Sequence, residues 1–466
     1  MTDAAASVPL RPTPVPTTTG AGKRESSQSL TRAWDRLLLD DPVRTAELAR
    51  SLDERMNVYP WRHPEGPVPV RPVVLDRGTA RNITRAAAEV VRLAAAECAR
   101  RAASPAELCE LLGMPVSPML TDRASWNRWA LDQARPDVVL TGGVPKVLEC
   151  NVSGAIGGVE QTARLESAFW SWPGVRGLTH RHRMWGGHTI SARRQLLVDI
   201  ARSRGVDRPP QLAVAGWSEA NFSDVITDAA SHEAPCVFVT QEELTEDDGL
   251  RTAHGLRIDV LLQKFVTADS YAKGEPMAAL EAAVARDSTF IAAPEISTLY
   301  SDKKVLAWLT QRAPDLPPAE RRIIEDHVPW TAELADRKVY RHGAQHELLR
   351  LVEHRQSDFV LKPTGGHSGH GVLIGRETAK GQWLDAVQNA LDGRHVVQEF
   401  CEPDRFPVAV CDLASGAVEV IDVPHLISPM LIRGVGTGFL ARFLKDTTSS
   451  MITVRLGAQN TVFVHD

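Results

Sequence analysis

Two short stretches hold residues whose types and spacing could do chemistry. Residues 359–375 read FVLKPTGGHSGHGVLIG: an apolar run ends in Lys362, and Gly365, Gly366, Gly369 and Gly371 follow before the chain turns apolar again. A lysine fixed at a strand end is a compact point charge that reaches a phosphate oxygen. Glycines let backbone N–H groups approach phosphates with no Cβ in the way. The second stretch, KVLECNVSGAIGG, sets Glu149 and Asn151 two residues apart, on one face of a strand. A carboxylate and an amide oxygen side by side are hard oxygen ligands. They suit Mg²⁺, which binds through one or two protein groups plus substrate phosphates. Taken singly, the loop is also consistent with a plain flexible hairpin, and Glu-x-Asn with a polar edge-strand face.

The order of residues excludes two familiar phosphate sites. A P-loop carries its lysine after the glycines and runs into a helix. A dinucleotide fingerprint opens a helix, whereas VLIG after Gly371 is strand-like. What remains is a hairpin whose glycine-rich tip folds over a triphosphate. SDKKVLAWL sets Lys303 and Lys304 at the start of a helix, where free N–H groups and the dipole favour phosphate. Lysine is informative here, because only about ten of the 53 basic residues are lysine. VVQEF ends in Gln398 and Glu399, whose backbone could meet an adenine edge; an ordinary strand end is the alternative. Ser153, in SGAIGG, adds a hydroxyl beside the metal face.

These groups need elements to position them. Residues 1–28 are rich in Pro, Thr, Ser, Ala and Gly and are expected to be a disordered tail. From Leu30 the pattern is helical, and NITRAAAEVVRLAAAECARRAA predicts a helix with Asn82 as N-cap. PDVVLTGGVPKVLECN predicts two strands around a Gly-Gly turn. Between 206 and 300, strand and helix patterns alternate, which predicts an inserted parallel-sheet subdomain. The remaining parts are 29–205, carrying the metal strand, and 301–466, carrying the glycine loop.

Composition narrows the partners. The chain has 466 residues, 43% hydrophobic and 24% charged, with a net charge of −5. That length allows two or three domains. No basic run marks a nucleic-acid surface, and no window approaches a membrane span. The N-terminus lacks the apolar core of a secretory signal. The six cysteines form no C-x-x-C pair and read as reduced thiols. A cytoplasmic protein acting on small molecules is expected, with a homodimer left open.

Five motifs in order, LECNVSGAIGG, RIDVLLQKF, LYSDKKVLAWL, FVLKPTGGHSGHGVLIG and VVQEF, resemble the ATP-grasp ligases. The metal pair precedes the ATP lysine, as in the circularly permuted branch that includes eukaryotic-type glutathione synthetase and glutathionylspermidine synthetase. The resemblance implies an α/β (α+β sandwich) fold, ATP and Mg²⁺, and amide formation through an acyl phosphate. It assigns Lys303 and Lys362 to ATP phosphates, residues 365–371 to a closing loop, Gln398 and Glu399 to the adenine hinge, and Glu149 and Asn151 to Mg²⁺. Lys304 is a further nucleotide candidate. Arg135, in an R-x-D with Asp137, would steady a carboxylate or acyl phosphate, with Ser153 beside it. Arg442 would meet phosphate or substrate. The substrates implied are amino acids or small γ-glutamyl compounds, with glutamate joined through its side chain, or as a dipeptide, to a second amino acid, as in a propargylglycine–glutamate ligase of specialised metabolism. A larger peptide or polyamine substrate, a small-molecule kinase and a nucleotide-binding protein without ligase activity are the alternatives. One departure stands out: the loop lacks the glutamate that glutathione synthetases use as a metal ligand. Asp412 or Glu399 could replace it, or the chain could belong to a sister group. His367, His370 and the histidines from His180 to His188 lack a zinc spacing.

Overall fold

The computed structural model describes residues 27–56, 66–120, 131–172, 174–175, 177–178, 187–217, 222–366, 369–445, 449–453 and 456–465. The expected tail up to residue 26, His180, His182 and His367 lie outside these residues.

Three larger sheets, beside two two-stranded ones, organise the described residues. The largest has nine strands and is built around Val418–Ile432. Fifteen residues long, this strand changes partners along its length. Its first half pairs with Arg405–Cys411. Its second half pairs with Val435–Phe443 on one side and with Gln133–Ala134 and Asp137–Thr141 on the other. Asp137–Thr141 turns back into Val144–Glu149 through Gly142 and Gly143, both with positive φ (57° and 77°). Such a two-residue turn needs the left-handed conformation at both positions, hence Gly-Gly. The Asp404 carboxylate clamps it, accepting from Gly142 N–H at 2.8 Å and Gly143 N–H at 2.7 Å.

One side of this sheet carries the helix Arg77–Arg101, through Ile83, Ala87, Val90 and Ala94. The other carries Ser27–Asp40, Pro42–Met56 and Val159–Ser171, through Leu30, Trp34, Leu38, Leu165 and Phe169. Trp34 is fully buried there; truncating such a side chain costs roughly 3–5 kcal/mol. The helix expected to follow an N-cap at Asn82 begins six residues earlier. Asp76 is its N-cap and accepts from Thr79 N–H at 2.9 Å, so Asn82 falls inside the helix.

The second sheet is parallel, in the order Phe290–Ala292, Val260–Gln263, Leu212–Ala215, Cys236–Val239. These strands are apolar on both faces because helices cover both: Thr189–Ser203 and Ser223–Ala230 on one, Ala278–Arg286 on the other.

The third sheet is antiparallel, in the order Thr331–Glu333, His395–Glu399, Phe359–Pro363, Leu373–Ile374. Its alternation explains the site. Phe359, Leu361 and Val397 point into a core with Trp383 and Val387 of the helix Lys380–Asn389. Val360, Lys362 and Gln398 therefore face the opposite way, toward the nine-stranded sheet. No described helix is long and apolar enough to cross a membrane.

Candidate functional site

A cavity of about 1060 Å³ lies between the third sheet and the nine-stranded sheet, and residues of the parallel-sheet unit line one end of it. Lys362 and Gln398 come from one wall, Glu149, Asn151, Asp137 and Arg442 from the other.

Lys362 is 6% exposed. Its Nζ donates to Gln398 Oε1 at 2.7 Å and stands 4.0 Å from Glu149 Oε1. Burial, only partly offset by Glu149, holds the ammonium below the ordinary lysine range. Lys303 reaches the same carboxylate at 3.8 Å. It opens the helix Lys303–Arg312, whose N-cap Asp302 accepts from Lys304 N–H at 2.8 Å. Lys303 N–H donates to Thr364 O at 3.0 Å, and its Nζ lies 3.4 Å from Gly366 O. The helix start is thus tied to the glycine loop. Lys304 points elsewhere: its Nζ donates to Leu112 O at 3.1 Å and is buried, so it does not share this site. Helical geometry sends successive side chains about a third of a turn apart, and only one of the two lysines reaches Glu149.

Glu149 and Asn151 both line the cavity. Asn151 Nδ2 donates to Arg135 O at 3.2 Å, and Arg135 N–H donates to Asn151 O at 2.7 Å. That fixes the amide with its oxygen as the group left to coordinate. Arg135 donates from Nη1 to Gly157 O at 3.2 Å, while Nη2 lies 3.8 Å from Asp137 Oδ1. Arg442 and Ser428 complete the cluster: Arg442 Nη2 donates to Asp137 Oδ1 at 2.8 Å, and Ser428 Oγ donates to the same oxygen at 2.7 Å. Burial would raise the Asp137 carboxyl, but Arg442 and Arg135 outweigh it and hold it below its ordinary value. Ser153 also lines the cavity, with its Oγ accepting from Ala155 N–H at 3.0 Å.

The glycine loop hangs from the end of the Lys362 strand. Gly366, Gly369 and Gly371 have positive φ, and Gly365 does not. A Cβ on Gly371 would stand 2.8 Å from Pro363 Cγ, and one on Gly369 2.9 Å from Met451 Sδ. Gly369, Ser450 and Met451 line the cavity. His370 is exposed.

The hinge differs from the sequence expectation. Gln398 is paired on both sides, with Val360 and Thr331, because its strand is internal to the sheet. Its side chain serves Lys362 and donates to Thr331 Oγ1 at 3.1 Å. Glu399 N–H donates to Trp330 O, and its carboxylate is taken by Arg341 and by His342, whose Nε2 is 3.2 Å away. These contacts fall on its Oε1, and Glu399 lines the cavity. Asp412 does not line the cavity and accepts from Ser415 N–H and Oγ in a turn of its own.

Lys264 joins the site although the sequence singles out only its motif and not the residue. It is 2% exposed, lines the cavity and donates to Ile156 O at 2.7 Å. Its signal is a lysine directly after the strand Val260–Gln263, in LLQKF.

Among the described residues no group of three or more His, Cys, Asp and Glu gathers to hold a metal. One carboxylate and one amide oxygen beside two lysines fit a Mg²⁺ ion shared with phosphates, rather than one caged by protein.

No protein-family profile and no curated protein matches the chain. A solved structure does: a glutathione synthetase-like effector from Globodera pallida, in its apo form. The likeness covers 92% of this chain and 97% of the other, with a TM-score of 0.53 and 13% identity. At that identity it speaks for the fold: the chain has a mixed α/β fold of the glutathione synthetase-like kind.

Proposed function

We propose that the protein is an ATP-dependent carboxylate–amine ligase that joins two amino acids through an acyl phosphate. One observation carries this reading: Lys362 and Lys303, from two elements, converge within 4.0 Å of Glu149 on the facing sheet, with Asn151 beside it. A lysine pair aimed at a single carboxylate is wasteful unless polyanionic phosphates also enter the space between the sheets.

Glu149 and Asn151 would hold Mg²⁺, which when bound would offset the charge of the phosphates. Lys362 and Lys303 oppose the same charge from the other wall. Arg135 orients the donor carboxylate, a task suited to a planar fork. A donor oxygen attacks the γ-phosphorus and ADP leaves. The amine then attacks the acyl carbon, gives up a proton, and phosphate leaves with the donor oxygen. The loop from Gly365 to Gly371 closes over the phosphates and keeps water from the acyl phosphate.

The test is a screen of purified protein with Mg-ATP and amino acids, singly and in pairs that include glutamate. ADP and phosphate released in equal amounts with one pair, and a product one water lighter than their sum, are expected. A stable phosphorylated acceptor without free phosphate would make the protein a kinase instead.

A further inference from the structure

The loop after the metal strand runs from Ser153 to Gly158, and two of its successive carbonyls are held by cationic side chains. Lys264 Nζ donates to Ile156 O at 2.7 Å, and Arg135 Nη1 donates to Gly157 O at 3.2 Å. At the start of the loop, Val152 N–H donates to Ser301 Oγ at 2.8 Å and Ala155 N–H to Ser153 Oγ at 3.0 Å. Small residues let the loop lie close to its neighbours. A Cβ on Gly154 would stand 2.6 Å from Gln263 O and 3.3 Å from Ala292 O. Both carbonyls end strands of the parallel sheet, so the loop is docked on the carboxyl end of that sheet.

Lys264 follows the strand Val260–Gln263, and its own backbone is fixed. Its N–H donates to Ala215 O at 2.8 Å, which continues the pairing with Leu212–Ala215. Gln263 Nε2 donates to Phe265 O at 3.2 Å and to Thr267 Oγ1 at 2.8 Å, which holds the chain just beyond it. Burial lowers the Lys264 ammonium to about 8; Glu160 partly offsets this, and Arg193 and Arg135 add to it. At neutral pH the side chain is thus a charged donor, and such hydrogen bonds are roughly twice as strong as neutral ones. Glu160 lies in the first turn of the helix Val159–Ser171, just after the loop, and accepts from Arg193 Nη1 at 2.6 Å. Arg193 Nε in turn donates to Gln133 Oε1 at 3.0 Å, two residues before Arg135. Burying a lysine this deeply is costly, and here it anchors a main-chain carbonyl between two parts of the fold.

We propose that Lys264 is a positioning residue: through Ile156 O it holds the loop from Ser153 to Gly158 in the shape in which Ser153 and Arg135 meet the donor carboxylate. The parallel-sheet unit thereby sets the geometry of the donor site without contributing a group to the nucleotide site. That the loop serves a donor carboxylate rests on the ligase reading; that Lys264 orders the loop is tested without turnover.

The experiment combines hydrogen exchange and kinetics on the full chain, with Lys264→Met, Lys264→Gln and Lys264→Arg. Binding of a non-hydrolysable ATP analogue within twofold of the wild type shows which variants fold, and Lys264→Gln is measured beside Lys264→Met so that misfolding of one does not end the test. In the Met and Gln variants, peptides spanning residues 152–160 should exchange at least tenfold faster, and Lys264→Arg should restore most of the protection. With the amino-acid pair found by screening, the KM for the donor should rise at least tenfold in the same two variants, while the KM for ATP stays within twofold. Unchanged exchange in the loop would overturn the inference. So would a higher donor KM with the loop unaltered, which would put Lys264 in direct contact with the donor, or an equal rise in both KM values, which a merely structural lysine would give. Faster loop exchange in a protein that turns over no amino-acid pair would keep the ordering role and remove the ligase reading; an active ligase whose donor KM ignores Lys264→Met would do the reverse.

Discussion

Lys362 and Gln398 form a buried pair across neighbouring strands, with the ammonium donating to the amide oxygen at 2.7 Å. The amide is itself held by Thr331 Oγ1 at 3.1 Å. A neutral acceptor orients the lysine without cancelling its charge, which stays available to a phosphate. Gln398→Leu removes that acceptor. A hydrogen bond to a charged group contributes about 1.5–3 kcal/mol, so ATP affinity should fall on the order of tenfold or more. The lost acceptor favoured the charged form, so the already depressed Lys362 pKa falls further. The alkaline limit of ATP binding should therefore move to lower pH in the variant. Titration of a fluorescent ATP analogue between pH 7 and pH 10 checks both effects. An unshifted limit would mean that Gln398 only fills space.

Glu149 meets two lysines as well as the face assigned to the metal. Glu149→Gln should lower turnover by about a hundredfold or more and raise the Mg²⁺ concentration needed for half-maximal rate. Metal-free ATP should bind no more weakly than to the wild type, since Lys303 and Lys362 lose a competing carboxylate. Nucleotide affinity measured with and without Mg²⁺ separates the two effects.

Asp137 balances Arg442 and Arg135. Asp137→Asn leaves buried guanidiniums uncompensated and should destabilise the fold by on the order of 3 kcal/mol. The native carboxyl lies below its unfolded value of about 3.9, so its contribution is complete above that value and lost as pH falls through the folded pKa. Urea unfolding of both proteins should show a constant gap from about pH 5 to 7 that narrows below about pH 4. A gap independent of pH would assign the effect to packing alone.

The loop glycines should not be equivalent. Gly365 lacks positive φ and has open space where a Cβ would stand, so Gly365→Ala should leave the melting temperature nearly unchanged. Gly371 has φ 71°, and a Cβ added there would meet Pro363 Cγ at 2.8 Å, so Gly371→Ala should lose about 1–2 kcal/mol. Thermal unfolding of the two variants side by side decides it.

Much of this arrangement is local and therefore legible. The Gly142–Gly143 turn, the strand that carries Lys362 near its end and the alternating strands of the parallel sheet each follow from short-range pattern. Other parts depend on long-range register. Nothing near Asp137 announces Ser428 or Arg442, which reach it only because Ile427 pairs with Val138 in the assembled sheet. Which of Lys303 and Lys304 reaches Glu149 is set by helix phase, and phase by the burial of Val305, Leu306 and Leu309. Gln398 stands out in the sequence as a backbone hinge, whereas both of its strand edges are occupied and its side chain carries the role. Lys264 gives a weak sequence signal because a buried lysine and a surface lysine look alike until the neighbouring strands are in place.

The most direct measurement follows one oxygen. With the amino-acid pair found by screening, the donor carboxylate is labelled with ¹⁸O and the released phosphate is examined by mass spectrometry. Activation of the carboxylate by phosphoryl transfer requires one labelled oxygen per phosphate, and that is the expected result. Unlabelled phosphate, with the label kept in the donor, would show that water had attacked the nucleotide and would contradict a ligase acting through an acyl phosphate.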